Sequence, residues 1–306
     1  MTGRGVQYQP PGYLAQRPRL PAIDWTVDWY LAAHRGYWNN WDQPVEGRTW
    51  RASSLGSCAR AQTLQRKGIG SSRSLDAKTL RTFAWGDEVH SFVRKMFWRL
   101  GLVVSEEPTF ADASLDVTGH VDLIWTPSGW HRSAPAHWSQ EWFDYLNHLR
   151  EDWLDTLGGM YPDGVPGDLL GMELKSAHSL AMKRIINEGP YPHHRIQAGA
   201  YKLMAASMTE ITEKDGTTWS PSEVDRWHIA YVGKDSVGML SFEVEDAWVV
   251  DAYDVLTKLN RFWQAGSLPP CECEGWMVSY CDYNEGDTCC GRNLKGRIAK
   301  EIRNDA

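Results

Sequence analysis

The sequence contains no apolar run approaching the roughly 18 residues that a membrane-spanning helix requires, because polar residues interrupt every hydrophobic stretch well before that length. Also missing is a charged start followed by an apolar run, so no secretory leader and no membrane partner are expected, and the protein reads as soluble and cytoplasmic. Basic charge is scarce: 32 Lys and Arg against 39 Asp and Glu leave a net charge of −7. That balance argues against a protein that merely coats nucleic acid, since phosphate contacts come from Lys and Arg. It suits carboxylates that hold divalent cations, which then present positive charge to an anionic substrate. There is no Gly-x4-Gly-Lys-Ser/Thr loop, so a nucleotide-driven motor is not expected within this chain. Internal repeats and low-complexity tracts are absent as well. Cysteine is sparse and uneven: of six, five fall between Cys271 and Cys290 and one, Cys58, stands far upstream. Without a leader to an oxidising compartment, metal binding is favoured over disulfides.

At 306 residues and 42% hydrophobic, the chain can bury one large core, and one main domain is expected. Residues 1–45 read as an N-terminal arm and lead-in, basic and proline-rich at first (Arg4, Arg17, Arg19). Residues 46–291 form the main domain, with a Trp-rich helical insertion at 127–168 and a cysteine region at 271–290. Residues 292–306 make a basic tail with Arg292, Lys295, Arg297, Lys300 and Arg303.

Helical spacing over residues 80–100 predicts a helix whose core face is Trp85, Val89, Phe92, Val93, Met96 and Leu100. Residues 102–110 and 117–125 are rich in β-branched and aromatic side chains and predict an antiparallel pair. A helix within the insertion is expected to align Trp142, Tyr145, Leu149, Trp153 and Leu157. A strand at 169–176, a helix at 193–208, strands at 227–232 and 237–244 and a helix at 245–263 follow. This order predicts an α/β fold with a mixed central sheet flanked by helices.

Chemistry concentrates on two strands. In Glu173-Leu174-Lys175 the acid and the base share one face while Met172 and Leu174 pack on the other. Burying such a pair is costly unless a cation and a substrate complete the set. Asp122 lies in another apolar stretch, Gly119-His120-Val121-Asp122-Leu123-Ile124. Two carboxylates and a helical histidine, His90, make an oxygen-and-nitrogen site suited to Mg²⁺ or Mn²⁺, with open positions for water and phosphate. Lys175 would position the water or offset developing charge, as a phosphodiester hydrolase requires. His120, two residues before Asp122 and expected on its face, is a second ligand or a phosphate contact.

The ordered set Gly86-Asp87-Glu88-Val89-His90, Gly119-x-x-Asp122, Glu173-x-Lys175 and Gln197-x-x-x-Tyr201 resembles RecB-like nucleases of the PD-(D/E)XK superfamily. The resemblance implies a PD-(D/E)XK core, with His90, Asp122, Glu173 and the carbonyl of Leu174 as metal ligands and Lys175, Asp122 and Glu173 as catalytic residues. It makes Gln197 and Tyr201 the pair that handles DNA. Ser53-Ser54-Leu55-Gly56-Ser57-Cys58, with Arg60 and Leu64, is similar to the cysteine segment of the iron-sulphur branch, which includes CRISPR-associated RecB-like nucleases and phage exonucleases. That branch implies a [4Fe-4S] cluster, for which the chosen ligands are Cys58, Cys273, Cys281 and Cys289, and its role would be structural. The usual C-x-x-C pair is absent, since Val278 stands three before Cys281, and a structural Zn²⁺ held by thiolates is the alternative. The expected activity is that of a DNA exonuclease or end-processing nuclease on single-stranded DNA or free ends. Its setting would be phage or bacterial recombination, replication or repair, in a bacterial cell or infected host, with a recombination or helicase partner. A CRISPR-type DNA-trimming nuclease and a non-catalytic zinc-stabilised DNA-binding protein are the alternatives. Of the 17 tryptophans, buried ones would fill the core and exposed ones would stack on single-stranded bases.

Overall fold

A mixed five-stranded sheet flanked by helices forms the centre of the chain. The computed structural model describes residues 49–69, 77–127, 169–213, 216–235, 238–272, 281 and 283, together with Gln140, Glu141, Asp144, Tyr145, His148 and Glu151. In chain order the strands are β1 (Trp50–Arg51), β2 (Val103–Glu106), β3 (Thr109–Asp112), β4 (Val117–His120), β5 (Leu123–Trp125), β6 (Leu169–Ala177), β7 (Ile211–Thr212), β8 (Thr218–Trp219), β9 (Val224–Gly233) and β10 (Met239–Glu243). The helices are α1 (Ala59–Arg66), α2 (Ala77–Arg99), α3 (Ser179–Glu188), α4 (Pro192–Ser207) and α5 (Asp246–Gln264). The large sheet runs β10-β9-β6-β5-β2, with β6 and β9 parallel and the other neighbours antiparallel. A three-stranded sheet, β1-β4-β3, stands beside it, and β7 pairs with β8.

The expected antiparallel pair over 102–110 and 117–125 is present but divided between the two sheets. β2 pairs with β5 in the large sheet, and β3 with β4 in the small one. The break follows from Pro108, which offers no N–H to a ladder. Glu107 before it has φ 49°, a left-handed conformation that turns the strand at a cost of roughly 1 kcal/mol. On the opposite arm Val121 and Asp122 leave the strand conformation. Two bonds still bridge the corner, Val121 N–H to Pro108 O at 3.2 Å and Glu107 N–H to Asp122 O at 3.3 Å.

Two cores lie on the two faces of the large sheet. The larger gathers Ile229, Tyr231 and Ala177 with Tyr201 and Met204 of α4 and Trp248, Ala252, Leu256 and Leu259 of α5. The smaller gathers Met172, Leu174, Leu123, Val103 and Ala230 with Val93 of α2. Each fully buried aliphatic side chain of this kind contributes about 1.5–3 kcal/mol.

Helix α2 forms as expected, but its buried side differs from the predicted one. Val93 is 1% exposed whereas Trp85 and Phe92 are 55% and 61% exposed. The helix is apolar on more than one side. The side that meets the sheet is the slender one with Gly86, whose added Cβ would touch Ser176 Oγ at 3.4 Å, followed by His90, Val93 and Phe97 at helical spacing.

Residues 50–66 are tied to residues 260–263. Arg66 of α1 lies between the rings of Trp50 and Trp263, 4.3 and 4.2 Å from their centres, and pairs with Asp116. Trp50 Nε1 donates to Asn260 Oδ1 at 2.6 Å, and Asn260 Nδ2 donates to Leu115 O at 2.8 Å. Of the insertion, the six described residues are helical at 140–151 and exposed, Tyr145 among them; Trp142, Leu149, Trp153 and Leu157 lie outside the described residues, as do the arm and the basic tail. No helix among the described residues is long and apolar enough to cross a membrane.

Candidate active site

Strand β6 delivers its acid and base as alternation requires. Leu174 and Met172 enter the smaller core, and Glu173 and Lys175 turn to the face covered by α4. β5 begins only at Leu123, opposite Met172, so the next N–H of β6 on that side has no strand to bind. Leu174 N–H instead donates to Asp122 Oδ2 at 2.7 Å. The other oxygen, Oδ1, meets His90 Nδ1 at 3.1 Å. The corner created by Pro108 thus aims the Asp122 carboxylate at both the β6 edge and the α2 helix.

Glu173 Oε1 accepts from Lys175 Nζ and from Gln197 Nε2, both at 2.6 Å. Gln197 Nε2 also donates to Tyr201 Oη at 3.0 Å, and Tyr201 Oη donates to His120 O at 2.7 Å. Gln197 and Tyr201 share one side of α4, which starts on Pro192 and runs through alanine-rich sequence with no β-branched run to weaken it. Gly119 makes room for the tyrosine: a Cβ there would stand 2.8 Å from Tyr201 Cε1 and 2.7 Å from Ala52 Cβ. The structure therefore brings His90, Asp122, Glu173, Leu174, Lys175, Gln197 and Tyr201 into one connected set.

His120 does not join that set through its side chain. The expectation that it shares the face of Asp122 assumed one unbroken strand, and the corner at residues 121–122 ends the alternation. The ring is exposed and its Nδ1 meets Thr109 Oγ1 at 3.2 Å, across the β3–β4 ladder.

Burial and neighbours separate the two acids. Burial alone raises both. For Asp122 the His90 hydrogen bond and charge, the Lys175 ammonium and the Leu174 N–H outweigh it and hold the carboxyl below the usual range. For Glu173 burial prevails over Lys175, and repulsion from Asp122 adds to it, pushing the carboxyl up to about 8. Glu173 Oε2 is buried without a hydrogen-bond partner among the described residues. Among the described residues no three His, Cys, Asp or Glu side chains surround a common point, because His90 closes on Asp122 while Lys175 and Gln197 close on Glu173. A divalent cation fits this donor set: two carboxylates and an imidazole are its ordinary ligands, and the unmatched Oε2 with its raised pKa marks a place short of positive charge. Beside His90, Asp87 is raised by burial, and Arg94 pairs with Glu107 to form the rim on that side.

A second cluster joins the cysteines. Cys58 and Cys281 are buried with Leu64 and Tyr283, and Cys271 packs against them with Leu268 and Ala61. Tyr283 Oη donates to Ile69 O at 2.8 Å, which seats this segment on the turn after α1. Cys58 and Cys281 of the expected ligand set therefore share one buried cluster, with Cys271, outside that set, packed against it. Cys273 and Cys289 lie outside the described residues.

Sequence reading missed the histidines at the start of α4. His194 Nδ1 meets Tyr231 Oη at 2.7 Å, and burial, with the Lys175 charge, depresses His194 to about 2. The adjacent Gln197-x-x-x-Tyr201 spacing was the available signal.

No family model matches the sequence. No curated protein matches it either. Among solved structures the chain is similar to SSO0001, at 12% identity over 86% of this chain and 94% of that one, with a TM-score of 0.43. It is also similar to an alkaline exonuclease, LHK-Exo, from Laribacter hongkongensis, at 11% identity over 71% of this chain and 88% of that one, with a TM-score of 0.39.

Proposed function

We propose that this chain is a metal-dependent deoxyribonuclease with a PD-(D/E)XK core, hydrolysing phosphodiester bonds of DNA that is single-stranded or has free ends. The observation that carries the reading is the corner at Asp122, where one carboxylate bonds both His90 and the backbone of Glu173-Leu174-Lys175. Asp122, Glu173 and His90, with the Leu174 carbonyl, would hold Mg²⁺ or Mn²⁺. When bound, such a cation polarises the scissile phosphate and acidifies a water to give the nucleophile. Lys175, 2.6 Å from Glu173 Oε1, orients that water and offsets negative charge developing on the phosphate. Gln197 fixes the Glu173 rotamer by its bond to Oε1. Tyr201 pins the corner through His120 O and, with Gln197, presents α4 to the strand. The thiolates of Cys58, Cys281 and further late cysteines would hold a [4Fe-4S] cluster, or structural Zn²⁺, away from this chemistry.

The test uses end-labelled single- and double-stranded DNA, each end blocked in turn, with Mg²⁺ or Mn²⁺. Wild type is expected to cut, and Asp122→Ala to lose on the order of 10³-fold or more in rate. Equal cutting by both proteins overturns the assignment.

A further inference from the structure

Helix α4 carries its site residues at every fourth position, and the spacing extends one turn before Gln197. His193, Gln197 and Tyr201 share a face of the helix. Tyr201 reaches His120 O, Gln197 reaches Glu173, and the helix start that carries His193 is bonded to Tyr231, the register partner of Lys175. The order along the helix thus follows the order of site residues from the Asp122 corner to Lys175.

The placement of His193 is built rather than incidental. Tyr231 is the register partner of Lys175 on the neighbouring strand. Its hydroxyl meets His194 Nδ1 at 2.7 Å and accepts from Tyr191 N–H at 3.3 Å, which anchors the start of α4 over the Lys175 end of β6. On another side the loop before Cys58 presses in, and a Cβ on Gly56 would stand 2.2 Å from both Cα and Cβ of His193. The His193 ring stacks on Tyr191 with centres 5.6 Å apart and planes 26° apart, and meets the His194 ring at 4.1 Å. His194 has spent its Nδ1 on Tyr231. The His193 ring has no hydrogen-bond partner among the described residues and is half-buried.

An immobilised imidazole with both nitrogens available, beside an ammonium group, suits an anionic oxygen. Burial and the Lys175 ammonium lower the ring's pKa, which favours its neutral form, and a neutral imidazole has one N–H donor. We propose that His193 binds the DNA strand, donating an imidazole N–H to a non-bridging oxygen of a phosphate flanking the scissile one. This contact rests on the nuclease reading of the same site.

The test compares His193→Phe, which keeps the stacked ring and removes both nitrogens, with His193→Gln, which keeps a donor. Both are assayed on a single-stranded oligonucleotide in Mg²⁺, with one phosphate at a time replaced by an uncharged methylphosphonate. The Phe variant is expected to raise KM about tenfold, a smaller change than would stop the chemistry, while Gln stays near wild type. One flanking methylphosphonate is expected to lower wild-type kcat/KM about tenfold and to add nothing in the Phe variant. The opposite pattern, Phe tolerated and Gln impaired, means the ring only packs and overturns the contact. Methylphosphonate penalties equal in wild type and Phe variant at every position overturn it too. A wild type that cuts no DNA removes both this contact and the nuclease reading; an active wild type matched by the Phe variant removes the contact alone.

Discussion

Glu173 and Asp122 meet the same burial with opposite outcomes, and the difference sets a pH dependence. Glu173 is pushed up to about 8, so the unfolded chain, with a carboxyl near its ordinary value, loses its proton first. The group therefore contributes stability below about pH 4.5 that is lost as pH rises toward 8. Asp122, held low by His90, Lys175 and Leu174 against the effect of burial, contributes stability at neutral pH that is lost only in acid. In EDTA, wild type is expected to lose stability relative to Glu173→Gln between pH 5 and 8, by at most about 1.4 kcal/mol per pH unit, as read from urea melts. Adding Mg²⁺ at pH 8 is expected to raise the melting temperature of wild type and leave the Gln variant unchanged. Parallel melts for the two proteins at every pH would remove Glu173 as the source. Much of this site could be read from residue order: alternation on β6 separates Glu173 and Lys175 from Leu174, and four-residue spacing pairs Gln197 with Tyr201. The unmatched Oε2 could not, since it depends on which neighbours reach Glu173 in space.

At the scale of elements, the strands and helices that sequence periodicity predicts within the described residues of the sheet domain are present, and the errors lie where an element has to choose between partners. Helix α2 is apolar around much of its circumference, so periodicity marks Trp85 and Phe92 as readily as Val93; the sheet accepts the side with Gly86 because the helix can approach there. The pair over 102–110 and 117–125 reads as continuous because each arm is continuously strand-like, yet Pro108 breaks the ladder and the opposing arm turns with it. That break moved His120 away from Asp122. The corner also depends on Gly119, against which Tyr201 packs. Gly119→Ala is expected to destabilise the fold by about 1–3 kcal/mol through overpacking against Tyr201 and Ala52. Tyr201→Phe, which removes only the hydroxyl bonds to His120 and Gln197, is expected to cost about 0.5–1.5 kcal/mol. Denaturant melts separate the two; an Ala variant as stable as wild type would show that the backbone yields to the added methyl. The short helices α1 and α3 escaped sequence reading because each spans two or three turns, too few to establish a period.

For the whole molecule, the cysteine cluster and the Arg66 clamp perform related tasks: each joins residues near 50–66 to residues beyond 260. Cys58 and Cys281 share a buried cluster although 223 positions apart, and only the family resemblance had suggested joining an early thiol with late ones. If a [4Fe-4S] cluster sits there, protein purified without oxygen is expected to be brown, with a broad absorption near roughly 400 nm, and Cys58→Ser to lose iron and melt lower. Colourless protein carrying stoichiometric zinc would establish the alternative centre.

The clamp of Trp50, Arg66 and Trp263 also imposes a timetable on biosynthesis. A chain emerging from the ribosome makes Trp50 long before Asn260, which is 210 positions later, and closing so long a segment costs entropy before its contacts repay it. Strand β1 and helix α1 therefore complete their packing only after helix α5 has been made. The Trp50 ring and the thiol of Cys58 are packed only once residues 260 to 281, which cover them, have been made.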